Sequence, residues 1–223
     1  MGVIRKSAAE IEKMREAGRI VARILRAVAE AAKPGVSTGE LDEMAETLIY
    51  EYGAKPAFKG YGPGGKPPFP GVICASINEE VVHGIPSRKR ILREGDIFSV
   101  DFGVVKDGWF GDSAITIPIG KVSEKATRLM EVTRRSMEIG IEAAVPGNRV
   151  YDIGAAIQAY VEGEGFSVVR DFVGHGIGRR LHEDPQVTNY GPGGQGLRLK
   201  PGMVLAIEPM VNLGTKETVE LDD

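Results

Sequence analysis

The signals that interrupt and end helices in the first half of the chain return 112 residues later in the same order. A Pro-Gly pair at residues 34–35 interrupts one helical pattern, and a second pair at residues 146–147 interrupts another. The pattern Ser37-Thr38-Gly39-Glu40 is a capping box that predicts the start of a shorter helix. Its Glu40 and the later Asp152 keep the same spacing, and so do the stop signals Gly53 and Gly165. Chance recurrence of such breaks is the alternative, but a shared register favours duplication of one structural unit.

The strand-like runs that follow the helices repeat as well. Residues 92–101, LREGDIFSVD, resemble residues 199–208, LKPGMVLAIE, and each run ends in an acidic residue, Asp101 or Glu208. Helices followed by strands in each half predict an α+β fold with antiparallel strands. We expect one domain over residues 1–223, with half-repeats at about 7–120 and 121–223. If the halves face each other across a pseudo-two-fold axis, the two acids approach one another.

A hairpin is predicted where the Asp-Gly dipeptide at 107–108 separates the runs 98–105 and 109–118. Pairing of Lys106 with Trp109 places Asp101 opposite Ala114 and Asp112 opposite residue 103. Side chains alternate along a strand, so both aspartates point to one face, about 7–8 Å apart at the backbone. The register therefore predicts converging carboxylates.

Two anions on an apolar strand pair require a cation or a shared proton, unless they form a solvated edge pair. His175 lies between glycines, which leave its imidazole room. Glu208 ends an apolar run, and this context predicts that the acid is buried. Two Asp, one His and one Glu form an oxygen-rich set that suits Mn, Fe, Co or Zn in a two-metal hydrolytic site. A structural role for each of these residues is the alternative.

The other two of the three histidines, His83 and His182, occur in Gly- and Pro-containing segments typical of loops. A neutral imidazole there can hydrogen-bond a substrate amide or give a proton to a leaving amine. A hydrogen bond that only holds the loop is the alternative. Cys74, between Ile73 and Ala75, is interpreted as a packing residue and not as a nucleophile.

The composition excludes several classes of partner. A net charge of -3 gives no overall attraction to phosphate, so nucleic acid is not expected as a substrate. No apolar run reaches the roughly 18 residues that span a membrane. The single cysteine excludes an intrachain disulfide and a cysteine zinc cage, which favours a reducing, cytoplasmic location. We expect a monomer.

Several ordered motifs resemble those of type I methionine aminopeptidases of the pita-bread fold. They are ICASINEEVVHGIP at residues 73–86, the hairpin with Asp101 and Asp112, GHGIG at 174–178, HEDPQV at 182–187 and AIEPM at 206–210. The resemblance covers nearly the whole chain. It implies two pseudo-symmetric helix-helix-strand halves around a central antiparallel sheet.

The resemblance also implies an activity, the hydrolytic removal of the initiator methionine from nascent proteins by metal-activated water. Two divalent ions, Co, Mn, Fe or Zn, are expected in the family. The implied partners are the N-termini of nascent polypeptides and the ribosome surface. The implied site consists of metal ligands Asp101, Asp112, His175 and Glu208, catalytic and substrate-contacting His83 and His182, and substrate-binding Cys74 and Phe69.

The sequence differs from the family pattern in two places. Residues 62–68 are longer and richer in Gly and Pro than the usual run before the pocket cysteine. The family has a further bridging glutamate on a late strand, and no position up to Asp223 matches it. Glu220, Asp222 and Asp223 are not assigned as ligands. We therefore expect the final strands to be missing, one ion to bind tightly and turnover to be poor.

Two alternatives to methionine removal remain at this point. One is a pita-bread module that binds peptides without catalysis, although such modules commonly lose their ligands. The other is a proline-specific peptidase of the same fold, prolidase or aminopeptidase P, although these usually carry a large extra N-terminal domain.

Overall fold

The computed structural model describes residues 2–62, 65 and 67–221. Contacts between Cα atoms divide the chain into two compact units. The N-terminal unit comprises Ala8–Ser123 and Gly178–Leu181, and the C-terminal unit comprises the segment up to Ser7, Glu124–Ile177 and the residues from His182 onward. Parts of the loop at residues 62–68 and the acidic residues 222 and 223 lie outside the described residues.

The N-terminal unit contains two helices followed by an antiparallel sheet. Its elements are α1 (Ala8–Ala31), α2 (Thr38–Glu51), β1 (Lys55–Pro56), β2 (Cys74–Ile77), β3 (Ile97–Lys106) and β4 (Trp109–Pro118). The long strand β3 pairs with β4 along one edge, and β1 and β2 pair with different parts of its other edge. β3 is thus the central strand of this sheet.

Helix α1 packs on one face of the β3–β4 hairpin. Along β3, Phe98, Val100 and Phe102 point to that face and are fully buried, as the alternation of strand side chains requires. The approach is closest at Gly111 of β4, where an added Cβ would lie 2.7 Å from the backbone of Ala17. The apolar face of the hairpin is therefore covered, and its acidic residues lie on the opposite face.

The predicted hairpin register is confirmed. Asp107 and Gly108 occupy the turn with φ of 51° and 76°, the left-handed conformation that Asp-Gly supplies. Lys106 pairs with Trp109, and Asp101 pairs with Ala114. A local turn signal was enough to specify the pairing, because one residue of slippage would reverse every side chain.

The predicted start of α2 is also confirmed. Oγ of Ser37 accepts a hydrogen bond from the backbone N–H of Glu40 at 3.2 Å, and the backbone N–H of Ser37 donates to Oε2 of Glu40 at 2.9 Å. The two bonds form a reciprocal capping box. They satisfy donors that the first turn of a helix cannot satisfy internally.

The C-terminal unit repeats the order of helices followed by strands. Its elements are α3 (Glu124–Ala143), α4 (Val150–Gly163), β5 (Ser167–Val168), β6 (Gly174–Gly176), β7 (Glu183–Val187), β8 (Leu205–Ala206) and β9 (Val211–Asn212). β6 pairs with β7 and β8, and β5 pairs with β9, all antiparallel. The core is an aliphatic cluster of Val132, Val150, Ile153, Ile157, Val161, Val168, Val187 and Leu199.

The two units share one local architecture. Helix α4 (Val150–Gly163) starts and ends 112 residues after helix α2 (Thr38–Glu51). The glycines that precede them, Gly35 and Gly147, both have left-handed backbones, with φ of 94° and 102°. The backbone N–H of each donates to a leucine carbonyl of its own unit, Leu92 or Leu199. This correspondence confirms the predicted pair of pseudo-symmetric halves.

The assignment of residues 1–223 to one catalytic domain, with halves at 7–120 and 121–223, stays a prediction. Within the described residues, no helix has both the length and the apolar composition needed to cross a membrane.

Candidate metal centre and substrate site

Asp101 and Asp112 lie on the face of the hairpin opposite helix α1. Asp112 pairs with Gly103, two residues beyond Asp101 on the same strand, so the two carboxylates are diagonal neighbours on one face. Both residues are half-buried. The hairpin therefore brings together two oxygen-donor groups, as the sequence predicted.

The pKa of Cys74 reflects the negative charge of these carboxylates. It pairs with Asp101 across β2 and β3, and its side chain is buried. Burial raises the pKa of the Cys74 thiol well above its usual value, and the charges of Asp101, Asp112 and Asp42 raise it further. The thiol therefore stays neutral, which agrees with its interpretation as a packing residue. The same field would favour a cation.

His83 follows β2 in a segment held against that strand. The backbone N–H of Ala75 donates to the carbonyl of Gly84 at 2.7 Å, and the backbone N–H of Gly84 donates to Oγ of Ser76 at 3.1 Å. An added Cβ at Gly84 would lie 2.4 Å from the carbonyl oxygen of Ala75. His83 itself is exposed and has a left-handed backbone with φ of 61°. Such strain in a non-glycine residue is common at functional sites.

Phe69 lies in the segment that precedes β2. Its backbone N–H donates to the carbonyl of Tyr61 at 2.8 Å, and its carbonyl accepts a hydrogen bond from the N–H of Gly60 at 2.9 Å. The ring is half-buried. Phe69 is thus held by backbone hydrogen bonds, although the residues 63, 64 and 66 of this loop lie outside the described part.

His175, in β6, has a defined orientation. Its Nδ1 lies 2.9 Å from the carbonyl oxygen of Gly176, and a carbonyl can only accept, so Nδ1 carries the hydrogen. Nε2 is then the nitrogen left to bind a proton or a metal, and it lies 3.4 Å from Oε1 of Glu208. A backbone hydrogen bond on the other ring nitrogen is the usual arrangement of a metal-binding histidine. His175 and Glu208 thus form a second donor pair.

His182 lies beside this pair. Its ring meets that of His175 edge to face, with ring centroids 4.3 Å apart and an angle of 65°. His182 is exposed, whereas the His175 side chain is 9% exposed. Glu208 was expected to be buried from its apolar sequence context, but its side chain is 38% exposed. The short β8 ends at Ala206, so Glu208 follows the strand and does not sit inside it.

Sequence reasoning missed Asn189. This residue is fully buried, and its Nδ2 donates to the backbone carbonyl of Glu208 at 3.1 Å. It thereby holds the backbone from which a candidate ligand projects. No motif marks it, because an Asn beside Tyr190 and Gly191 reads as an ordinary turn residue.

The described structure therefore assembles the predicted residues in two groups. The N-terminal unit holds Asp101, Asp112, Cys74, His83 and Phe69, and the C-terminal unit holds His175, His182 and Glu208. Among residues 2–62, 65 and 67–221, no cluster of three or more His, Cys, Asp or Glu side chains has the spacing to hold a metal ion. Each unit contains one pair of candidate donors, and each pair consists of residue types that bind the divalent metals of hydrolases.

Comparison with known proteins gives consistent matches. Residues 12–223 match metallopeptidase family M24. A methionine aminopeptidase of Clostridium acetobutylicum is 56% identical over 213 residues, which is 96% of this chain and 83% of that protein. The crystal structure of methionine aminopeptidase from Thermotoga maritima superposes with a TM-score of 0.94 at 44% identity, covering 99% of this chain and 87% of that chain.

A proline-specific relative matches less well. Prolidase from Pyrococcus furiosus has a TM-score of 0.77 at 27% identity, covering 92% of this chain and 57% of that chain. Together these likenesses confirm the expected α+β pita-bread fold.

Proposed function

The chain belongs to metallopeptidase family M24, and from this membership we propose that it is an aminopeptidase that hydrolyses the bond after the N-terminal methionine of nascent polypeptides. The observation that carries the proposal is the 56% identity to a methionine aminopeptidase over 96% of the chain. The two donor pairs, Asp101 with Asp112 and His175 with Glu208, support it from the structure.

The alternatives are less well supported. The prolidase match has about half the sequence identity and covers a much smaller share of its partner. A module that only binds peptides does not need to keep two donor pairs, and both are present here. Methionine removal therefore remains the better interpretation.

The proposed metal ligands are Asp101, Asp112, His175 and Glu208. Their donor set of three carboxylates and one imidazole fits Mn, Fe, Co or Zn. The His175 ring fits this role because Nδ1 donates to Gly176 and leaves Nε2 beside Glu208. When bound, a divalent ion supplies Lewis acidity, which polarises a peptide carbonyl and makes water a better nucleophile near neutral pH. The number of ions stays a prediction, with one bound tightly.

We assign substrate contacts to His83 and His182. Both side chains are exposed, and an imidazole can donate and accept hydrogen bonds, so each can bind a peptide amide or move a proton to the leaving amine. Cys74 and Phe69 contribute apolar surface for a methionine side chain. The neutral Cys74 thiol suits that role because a thiolate would repel the aspartates and attract water.

The remaining partners follow from this activity. Nascent N-termini are the proposed substrates, and the ribosome surface is where such ends first become accessible. A monomer in the cytoplasm is the proposed state, consistent with a single buried cysteine.

The test is peptide hydrolysis during metal titration. The purified chain is incubated with a Met-Ala-Ser peptide and, separately, with an Xaa-Pro dipeptide while Co²⁺ or Mn²⁺ is added. Free methionine is quantified for the first substrate and free proline for the second. We expect metal-dependent release of methionine from the first peptide only. Cleavage of the Xaa-Pro substrate alone would favour the prolidase alternative, and metal-independent cleavage would contradict the assigned ligands.

A further inference from the structure

A buried ion pair joins the N-terminal segment to the strand that follows His182. Nζ of Lys6 lies 2.7 Å from Oε2 of Glu183, and the two side chains are 2% and 3% exposed. The same ammonium donates to the carbonyl of Ile4 at 3.3 Å. Lys and Glu are almost never this deeply buried unless they are paired. The pair is therefore a specific feature of the C-terminal unit, which contains both residues.

The backbone around Lys6 is held as firmly as its side chain. The backbone N–H of Lys6 donates to the carbonyl of Gly202 at 2.7 Å, and Nε of Arg5 donates to the carbonyl of Pro201 at 2.8 Å. A Cβ at Gly202 would lie 2.7 Å from the carbonyl oxygen of Lys6, so the backbone segments around these two residues are in direct contact. Gly202 lies in the turn that leads into β8 and on to Glu208. Lys6 is thus positioned from both sides.

Glu183 connects this anchor to the candidate site. It is the first residue of β7, directly after His182, and it pairs with Gly176 of β6, the neighbour of His175. An anchored carboxylate at the next residue restricts the backbone from which the imidazole projects. The ring centroid of His182 lies 4.3 Å from that of His175 within this arrangement.

We propose that Lys6 and Glu183 act as a positioning pair for His182. This role rests on the proposed function, which assigns His182 its contact with the substrate. Burying an ion pair gives little net stability compared with an apolar pair of the same size, so its value lies in the single geometry that it imposes. A displacement of about 1 Å of a catalytic group can cost about 100-fold in rate. Loss of the pair should therefore lower turnover more than substrate binding.

The first experiment compares three variants of the full chain with Co²⁺ present. Lys6→Met removes the charge and keeps an unbranched side chain of similar length, whereas Lys6→Arg keeps the charge. Arg135→Met breaks an exposed ion pair of the same unit, to Glu142 at 2.9 Å. For a Met-Ala-Ser peptide we expect Lys6→Met to lower kcat by about 100-fold with KM changed less than about 3-fold. Lys6→Arg should recover most of the loss, and Arg135→Met should match the wild type.

The second experiment needs no turnover. The chain has three histidines, so its ring resonances can be resolved by NMR and that of His182 assigned with a His182→Asn variant. We expect the His182 resonance to shift or broaden in Lys6→Met, to return in Lys6→Arg and to stay unchanged in Arg135→Met. Circular dichroism verifies that each variant is folded.

The outcomes separate the two proposals. A wild type that releases no methionine overturns the proposed function, while the NMR comparison still decides whether the pair positions His182. An unchanged His182 resonance in folded Lys6→Met, with only a lower unfolding midpoint, overturns the positioning role. A kcat of Lys6→Met equal to that of Arg135→Met does the same.

Discussion

Asp101 and Asp107 belong to one hairpin but have different surroundings. Asp101 is half-buried on the acidic face of the sheet, whereas Asp107 is exposed in the turn. Asp101 pairs across the sheet with Ala114, and Asp112 is its diagonal neighbour on the same face. The residues therefore offer a matched pair of Asp→Asn substitutions, one in the proposed metal site and one outside it.

Asp101→Asn should weaken divalent metal binding by at least about 10–100-fold, since loss of even an outer partner of a ligand costs that much. Turnover of a Met-Ala-Ser peptide should fall with it. Isothermal titration with Mn²⁺ and a methionine-release assay measure the two effects. Asp107→Asn is the control, because Asn-Gly favours the same turn as Asp-Gly and tolerates a left-handed backbone. Equal metal affinity of the two variants would contradict the assignment of Asp101.

The Cys74 thiol should react slowly with alkylating reagents in the folded protein. Burial and the nearby aspartates raise its pKa above 9.0, so the folded state holds less thiolate than the unfolded chain at any pH below that value. At about pH 8 we expect iodoacetamide to label the native thiol at least about 10-fold more slowly than the same chain in urea, followed by mass spectrometry. The native rate should keep rising with pH beyond the ordinary thiol pKa of 9.0, where the rate of the unfolded chain levels off. Similar rates in both states would show that the thiol is accessible and ionised.

At the level of the helices, α2 and α4 differ in how they begin. Ser37 caps α2 with its hydroxyl, but Arg149, at the equivalent position of α4, makes no side-chain cap. The backbone N–H of Arg149 donates to Oδ2 of Asp152 at 2.7 Å, so only half of the box is kept. The helix with the complete box should depend more strongly on its cap residue.

Ser37→Ala should destabilise the protein by about 1 kcal/mol, the usual cost of losing a serine cap. Urea unfolding followed by circular dichroism measures the change. Thr47→Ala, in the exposed interior of the same helix, is the control and should be neutral or slightly stabilising, because Ala has the higher helix propensity. An equal loss of unfolding free energy in Ser37→Ala and Thr47→Ala would mean that loss of the cap does not cause the destabilisation.

The capping box also has a predicted pH dependence. Hydrogen bonds from the side chain and then the backbone of Ser37 lower the pKa of Glu40 below 4.5. A lowered pKa in the folded state contributes stability that is fully present above 4.5 and is lost as the pH falls through the folded pKa. The difference in unfolding free energy between wild type and Glu40→Gln should therefore shrink in acid. A difference that grows below 4.5 would contradict the direction of the shift.

For the molecule as a whole, the repeated architecture makes paired substitutions comparable. Gly35 and Gly147 have φ of 94° and 102°, and an added Cβ at either position meets nothing within 4 Å. Only the backbone conformation opposes a side chain there. Gly35→Ala and Gly147→Ala should each destabilise the protein by about 1–2 kcal/mol, the cost of a left-handed backbone for an L-residue.

Thermal unfolding of both variants measures this prediction. Gly163→Ala is the control, because Gly163 ends α4 with open space around it and no left-handed backbone. This variant should be neutral or stabilising. A large loss of stability in Gly35→Ala with none in Gly147→Ala would show that the two halves do not depend on the same turn.

Local patterns of the sequence were sufficient for the elements and for half of the site. The Pro-Gly breaks, the box at Ser37 and the Asp-Gly turn each act over a few residues, so helix limits and the register of Asp101 with Asp112 could be predicted without tertiary information. The internal repeat pointed to Glu208, the glycine context pointed to His175, and the family motifs included both, but none of these patterns predicted how the two residues lie relative to each other. The loop at residues 62–68 could be described only in part.

Tertiary structure decided the contacts between distant residues. Lys6 and Glu183 are 177 positions apart, and nothing near either residue predicts that both are buried. Asn189 was missed for the same reason, since its bond to the carbonyl of Glu208 depends on how separate segments pack. Periodicity, caps and turns report interactions within a few residues, whereas burial and charge pairing depend on the path of the whole chain. The sequence alone therefore determined the repeated elements and the candidate donor residues, and the tertiary structure decided which distant side chains, such as Lys6 and Glu183, pack together.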